Sequence, residues 1–381
     1  MDSDLVAIVG GGPAGALAAE HLARAGRSVL LIDERLAWEK PCGGGVTPKA
    51  LWRYPYLSEA AVARNWIGSC ELISPAGRRV LVELEQKIAI FSRRVLNGLM
   101  LDRARAAGAE ILQDRVLRVE TEDAGWHLHT RNGARLAAGF LIVATGARNP
   151  FRGQLARAFS PEELMMTAGY YIPGSSDRIQ VRFIAGLEGY VWTFPRSDHF
   201  SAGICGKLND GHTTAELRRM LEEFLEHEGF DYRGQTFYSH LLPAPTAATL
   251  KTGCFGGDNW AMVGDAAGFA DPITGEGLYY AFRSAELLAE ALTANRPTAY
   301  RTLLSRELLP ELATAASYAR RFFHGEIFGE PVLERMVQFT GESQKFRALI
   351  SDLFAGAQAY VNLRGRCYRQ LLPVIWNAVA S

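Results

Sequence analysis

The sequence contains no run of eighteen or more apolar residues, and its start, "MDSDLVAIVGGG", has no basic segment followed by a long apolar one. The expectation is a cytoplasmic chain that does not span a bilayer. Excess charge of either sign is missing too, since 41 basic residues balance 41 acidic ones. No global field therefore draws the chain to nucleic acid, and partners have to be argued from individual sites. Cysteine is scarce. The five present (Cys42, Cys70, Cys205, Cys254, Cys367) follow neither metal-ligand nor disulfide-framework spacing, which argues against zinc and fits a reducing compartment. Internal repeats, low-complexity tracts and Pro/Ser linkers are lacking as well, so the domains are expected to interleave rather than follow one another.

What is present is ample apolar material, 48 % of 381 residues, enough for a substantial core. "DLVAIV" is a short apolar run that stops at glycines, "PAGALAAEHLARAG" has helical composition, and "SVLLID" is a second apolar run. Together they form a βαβ unit, whose helical crossover a parallel strand pair requires. Further on, "CELISPAGRRVLVEL" predicts two strands about a Pro-Ala-Gly turn, "RVLNGLMLDRARAAGA" a helix, and "EILQDRVLRVET" a strand. "WHLHTRNGARLAAGFLIVATGA" predicts a hairpin turning at Asn132-Gly133 and leading into another apolar strand. Residues 160–250 alternate short strands with one amphipathic helix near 214–228, the pattern of a mixed antiparallel sheet. Residues 277–294 form a strong helix candidate, and the composition beyond 295 is helical.

Gly10, Gly12 and Gly15 form G-x-G-x-x-G after a predicted strand and at a helix start. That spacing permits a tight turn, close approach of backbone N–H groups to a pyrophosphate, and close packing of helix on sheet. Asp33, at the end of the second strand, is placed to accept a hydrogen bond from a ribose hydroxyl. The flanking Pro13, Ala14 and Glu34 are assigned to the same cofactor.

"VGDAAGFADPITGEGLYYAF" puts Gly264-Asp265 after an apolar strand and Gly275-x-Gly277 at the start of the next helix, which opens with Leu278. This resembles the Gly-Asp motif of the FAD-dependent hydroxylase superfamily. The resemblance implies FAD, with Asp265 on the ribityl chain and the positive end of the helix toward the flavin ring. Arg93 in "SRRVLNGLM" matches the superfamily's FAD-contacting arginine, with Arg94 as a rival. The superfamily's "A-D-G-x-x-S-x-x-R" stretch appears as "ATGARNPFR", where Thr145 replaces Asp and Asn149 replaces Ser; Gly146 keeps its place at the cofactor.

"KPCGGG" and "GYVWTFPRSDHFSAGICG" resemble two elements of the geranylgeranyl reductase family, its Pro-Cys-Gly-Gly and its Y-x-W-x-F-P. With the Gly-Asp motif the resemblance spans about the first 290 residues. Gly43, Gly44 and Gly45 would let the chain pass close to the isoalloxazine, where a Cβ would collide. Cys42 then sits beside flavin or substrate as proton donor or orienting group, with Lys40 as a neighbour able to tune it. The alternative is a buried cysteine filling space beside a glycine turn. Tyr190, Trp192 and Phe194 alternate on one strand face and, with Pro195, are candidates for an apolar substrate tail; an ordinary sheet core is the other reading. Met165, Met166, Tyr170 and Tyr171 are further candidates for the same cavity.

The family resemblance implies reduction of isolated carbon–carbon double bonds in a polyprenyl chain, with an apolar or prenyl-lipid substrate. The electron donor is left open between NAD(P)H and a ferredoxin-type protein. Rival readings are a flavin monooxygenase or halogenase of an aromatic compound, many of which carry W-x-W-x-I-P, and a flavin-binding lipid or quinone carrier without turnover. The C-terminal "NLRGRCYRQLLPVIWNAVAS", with Arg364, Arg366, Arg369 and Trp376, either docks on its own protein or lies on an anionic membrane surface.

The expected architecture is α/β, a glutathione-reductase-like Rossmann-type fold. A discontinuous FAD-binding domain takes 1–60, 87–158 and 251–295, a mixed-sheet substrate domain takes 61–86 and 159–250, and a helical region takes 296–381.

Overall fold

The computed structural model describes residues 4–122, 125–327 and 329–366. They group into two units. The first comprises residues 4–40, Ser92–Met165 and Leu241–Ala313; the second comprises Pro41–Phe91, Met166–His240 and the described residues from Thr314 to 366. The units divide at 40/41, where the expected bounds ran to residue 60; helix Ala299–Glu307 falls in the first unit, and helices Val332–Glu342 and Gln344–Ala355 belong with the mixed sheet.

The first unit is built on a five-stranded parallel sheet in the order Trp260–Met262, Phe140–Val143, Val6–Val9, Val29–Ile32, Glu110–Leu112. Val6–Val9 and Phe140–Val143 are buried throughout, as strands covered on both faces must be. Helix Pro13–Arg24 packs against helices Arg93–Ala106 and Leu278–Thr293. The chain leaves Val9 toward Val29–Ile32 on one side, while Phe140–Val143 lies on the other, so the order reverses at the carboxyl end of Val6–Val9. That reversal opens the crevice in which such sheets bind ligands.

A separate three-stranded sheet, Val116–Glu122, Gly125–Thr130 and Arg135–Ala138, includes the predicted hairpin, with Gly133 at φ +87°. The single strand expected over "EILQDRVLRVET" is in fact two strands in two sheets. Glu110–Leu112 joins the parallel sheet and Val116–Glu122 the small one. The break falls where the Leu112 carbonyl accepts both Asp33 N–H and Asp114 N–H, each at 3.2 Å, which turns the chain at Gln113-Asp114.

In the second unit an eight-stranded sheet contains the strands expected in 160–250, together with Gly45–Val46, Asn65–Ile73 and Arg79–Ile90. Its pairings are largely antiparallel, with Arg178–Phe183 parallel to Asn65–Ile73. Period-two alternation gives it two apolar faces. One carries Tyr170, Val191, Ala202 and Ile204 against helix Thr214–His227, which begins in a capping box between Thr213 and Glu216. The other carries Ile179, Val181 and Phe183 against Val332–Glu342 and Gln344–Ala355, through Val337, Phe346 and Leu349. No helix among the described residues is long and apolar enough to cross a membrane. Arg364 and Arg366 are described, and Arg366 pairs with Asp352; Cys367, Arg369 and Trp376 lie outside the described residues.

Candidate functional site

The three glycines of the first motif have different physical reasons. A Cβ on Gly10, where φ is +111°, would sit 2.4 Å from the Ala144 carbonyl oxygen, and one on Gly15 would sit 1.9 Å from the Gly10 oxygen. Both are demanded by the fold itself. Around Gly12 nothing lies within 4 Å of such a Cβ. Gly12 precedes helix Pro13–Arg24 without a side-chain cap, so first-turn N–H groups face this open approach, the arrangement that binds an anion.

Asp33 accepts Gly11 N–H at 2.7 Å through one oxygen, and Arg35 and Leu36 N–H at 2.7 and 2.9 Å through the other. It braces the glycine turn while keeping lone pairs for a ligand. Glu34 points elsewhere, with Arg131 at 3.3 Å and Arg115 at 3.7 Å.

Arg93 is buried at 3 % exposure, whereas Arg94 is exposed. The Arg93 Nη2 donates to Asn97 Oδ1 at 3.4 Å, and its Nε is buried with no hydrogen-bond partner. Sequence reasoning missed what starts this helix. Glu39 accepts the Ser92 hydroxyl and the backbone N–H of Arg93 (2.8 Å) and Arg94 (3.4 Å), so a carboxylate from another segment caps it.

Asp265 meets Lys40 Nζ at 3.1 Å, both side chains more than four-fifths buried. A Cβ on Gly277 would lie 3.2 Å from Asp265 Oδ1, and one on Gly146 would lie 3.7 Å from Lys40 Nζ. Lys40, Gly146, Asp265 and Gly277 are thus one cluster, and Thr145 Oγ1 beside it is buried without a partner. Gly264, at φ +58°, donates its N–H to Ser284 Oγ at 2.9 Å, and a Cβ there would meet Ala14 and Ala281. Arg152, the second arginine of "ATGARNPFR", donates to the Ala266 carbonyl at 2.8 Å and braces the same turn; burial lowers its pKa to about 10. Asp271, also missed, accepts Ile273 and Thr274 N–H and shapes the loop through Gly275 that leads to Leu278.

An FAD fits these residues. The uncapped helix start beside Gly12 suits a pyrophosphate, and the buried Arg93 Nε and Thr145 Oγ1 are polar atoms that a ligand would satisfy.

In the second unit the turn after Pro41 has an occupant from its own chain. A Cβ on Gly43 or Gly45 would come within 3.1 Å of the Phe194 ring, and one on Gly44, at φ +86°, within 2.1 Å of the Phe91 carbonyl. Packing within the chain thus demands Gly44 and crowds Gly43 and Gly45, beside the close approach to a flavin ring that the sequence reading expects of them. Cys42 is half-buried; its sulfur accepts Gly44 N–H at 3.4 Å and its carbonyl accepts Arg196 Nη2 at 2.6 Å and Ser201 Oγ at 2.9 Å.

Tyr190 and Phe194 pack on the apolar cluster that faces the C-terminal helices, and Trp192 meets Tyr190 edge-on at 6.0 Å. Pro195 is buried at the end of this strand. Tyr170 and Met166 pack on the opposite face of the sheet, where the Tyr170 hydroxyl binds Glu222. Tyr171 instead stacks obliquely on Tyr238 at 4.8 Å. The four residues 165, 166, 170 and 171 therefore do not line one cavity, because alternation along the strand splits them.

Residues 4–159 match the family model described as pyridine nucleotide-disulphide oxidoreductase. A menaquinone reductase of Mycobacterium tuberculosis is 30 % identical over 327 residues, which cover 76 % of this chain and 77 % of that protein. A geranylgeranyl diphosphate reductase of Rhodobacter capsulatus is 31 % identical over 309 residues, 75 % and 74 % of the two chains. This chain belongs to the geranylgeranyl reductase family of FAD-dependent oxidoreductases. It is an enzyme of that class, and its cofactor is FAD. The fold agrees with the solved geranylgeranyl bacteriochlorophyll reductase-like protein of Thermoplasma acidophilum, at a TM-score of 0.77 and 19 % identity over 96 % of this chain and 98 % of that one. A flavin-dependent brominase shares the fold at a TM-score of 0.69 and 18 % identity, again over 96 % and 98 %.

Proposed function

We propose that this family member reduces carbon–carbon double bonds in the polyprenyl chain of a lipid or lipid precursor. The observation that carries the reading is the packing of the Phe194 ring on Gly43 and Gly45. The family's two separate elements, some 150 residues apart in the chain, are one structural piece here. The names of the mycobacterial and Rhodobacter relatives support the substrate class.

FAD, when reduced, supplies the hydride equivalent that adds to one alkene carbon while a proton adds to the other. The chain's own residues hold and orient. Gly12 and the start of helix Pro13–Arg24 would take the pyrophosphate, Asp33 a ribose hydroxyl, and Arg93, Asp265 and the helix starting at Leu278 the remainder of the cofactor. Cys42, held by its carbonyl, is our candidate for the group that delivers or orients the proton. Tyr190, Trp192 and Phe194 offer an aromatic strand face to the prenyl tail, where each methylene removed from water contributes about 0.8 kcal/mol. Alignment and exclusion of water are the protein's share of the rate.

The test is anaerobic photoreduction of the holoenzyme followed by mixing with geranylgeranyl diphosphate or a polyprenyl quinone. The expected result is flavin reoxidation with a gain of two hydrogens per reduced bond by mass spectrometry. Oxygen uptake on aromatic compounds, with no saturation of either prenyl compound, would overturn the proposal.

A further inference from the structure

Arg196 follows the aromatic strand directly and is fully buried, the largest side chain so enclosed in the molecule's described residues. Its Nη2 donates to the Cys42 carbonyl at 2.6 Å, its Nη1 lies 3.2 Å from His199 Nε2, and its guanidinium carbon lies 5.1 Å from the centre of the Tyr171 ring. Arginine carries donors only, so His199 Nε2 is the acceptor of that contact. The imidazole proton then sits on Nδ1, 2.7 Å from Asp198 Oδ1, and the ring is held in one tautomer and one orientation. The backbone N–H of Arg196 closes the same turn on the His199 carbonyl at 2.8 Å.

The Cys42 carbonyl is the upstream handle of the glycine turn. Downstream, Gly45 and Val46 pair with Ile90 and Ala89, and the Gly44 carbonyl accepts Phe91 N–H at 2.9 Å. Upstream, Arg196 and Ser201 fill both lone pairs of one carbonyl, and one of the two donors is charged and dry, the stronger kind of hydrogen bond. Glycines resist bending little, so a turn of three keeps its shape only where both ends are tied.

We propose that Arg196 is a positioning residue: aimed by His199, it fixes the Cys42 carbonyl and thereby the place of the Cys42 thiol and of the turn through Gly45. Its bearing on catalysis rests on the prenyl-reductase reading, whereas its hold on Cys42 does not.

The experiment compares wild type, Arg196→Met, Arg196→Lys and Ser201→Ala as FAD-loaded proteins. The rate of iodoacetamide labelling at Cys42 is read by peptide mass, with the exposed Cys254 as internal reference, beside kcat and KM for prenyl reduction. Loss of the charged hydrogen bond predicts about tenfold faster labelling at Cys42 relative to Cys254 in Arg196→Met and partial return in Arg196→Lys, and loss of the neutral one predicts about fivefold in Ser201→Ala. kcat falls while KM stays within about twofold, since positioning acts on the reacting geometry. An unchanged Cys42-to-Cys254 ratio in Arg196→Met overturns the proposal; if that variant does not fold, an unchanged ratio in Ser201→Ala overturns it. Faster labelling in Arg196→Met, together with a wild type that reduces no prenyl compound, would sink the function while leaving the clamp in place.

Discussion

The ammonium of Lys40 lies 3.1 Å from the carboxylate of Asp265, 225 residues along the chain, with both side chains largely out of water. Removing Lys40 takes from a largely buried Asp265 its ammonium counterpart. Lys40→Met should lower stability by about 3 kcal/mol, and the double variant Lys40→Met/Asp265→Asn should recover part of the loss. Thermal melts of the four proteins in this cycle measure the coupling; additive losses would count against the pair.

The glycines of the nucleotide turn separate fold from ligand. Gly12→Ala meets nothing and sits at φ −72°, so the FAD-free variant should melt within about 0.5 kcal/mol of wild type yet bind FAD poorly. Gly15→Ala, whose Cβ would strike the Gly10 carbonyl, should fail to accumulate as folded protein. Flavin titration and melting of the two variants distinguish these outcomes.

At the second glycine cluster the expected order is set by what each Cβ meets. Gly44→Ala combines a positive φ with a collision against backbone and should cost about 3 kcal/mol or more. Gly43→Ala presses only on a side chain and should cost about 1–3 kcal/mol. Adding Phe194→Leu should relieve Gly43→Ala and leave Gly44→Ala unrelieved, as read by denaturant midpoints.

Arg93 is buried with an unsatisfied Nε and forms no ion pair among the described residues. Arg93→Met should therefore leave the FAD-free protein as stable or about 1 kcal/mol more stable, while weakening FAD binding by about tenfold or more. Equal FAD affinity in the two proteins would remove Arg93 from the cofactor's contacts.

Burial raises the pKa of the Glu163 carboxyl, but hydrogen bonds from Arg157, Ser160 and Thr249 outweigh it and hold the group at about 2. Because the folded value lies below the unfolded one, this stabilisation is complete above the ordinary carboxylate range. It is lost as pH falls toward 2. Glu163→Gln should lower the melting temperature at neutral pH and flatten its decline on acidification. A parallel decline in both proteins would show that Glu163 is not the group responsible.

Legibility in the sequence followed the range of the physics. The G-x-G-x-x-G spacing, the strand alternation through Tyr190, Trp192 and Phe194, and the hairpin at Asn132-Gly133 are patterns that can each be read from a short window, although what crowds Gly10 comes from Ala144. Glu39 and Arg196 could not be read that way. Glu39 caps a helix that starts 54 residues later, and Arg196 reaches a carbonyl 154 residues earlier. A glutamate before a lysine and an arginine after a strand carry no local sign of those partners. The glycines at 43–45 were legible as a close approach, but the approaching group was not, because Phe194 and Phe91 arrive from elsewhere in the chain.

The stretch from Glu39 to Gly45 holds consecutive duties: a helix cap at 39, an ion pair at 40, a clamped carbonyl at 42, and three positions without room for a side chain. Within the second unit the clamped carbonyl and the glycines after it are tied to fixed points, so one residue inserted or deleted between Cys42 and Gly45 would misplace those after it. The count of residues between the clamped carbonyl at 42 and the last glycine at 45 is not free to vary.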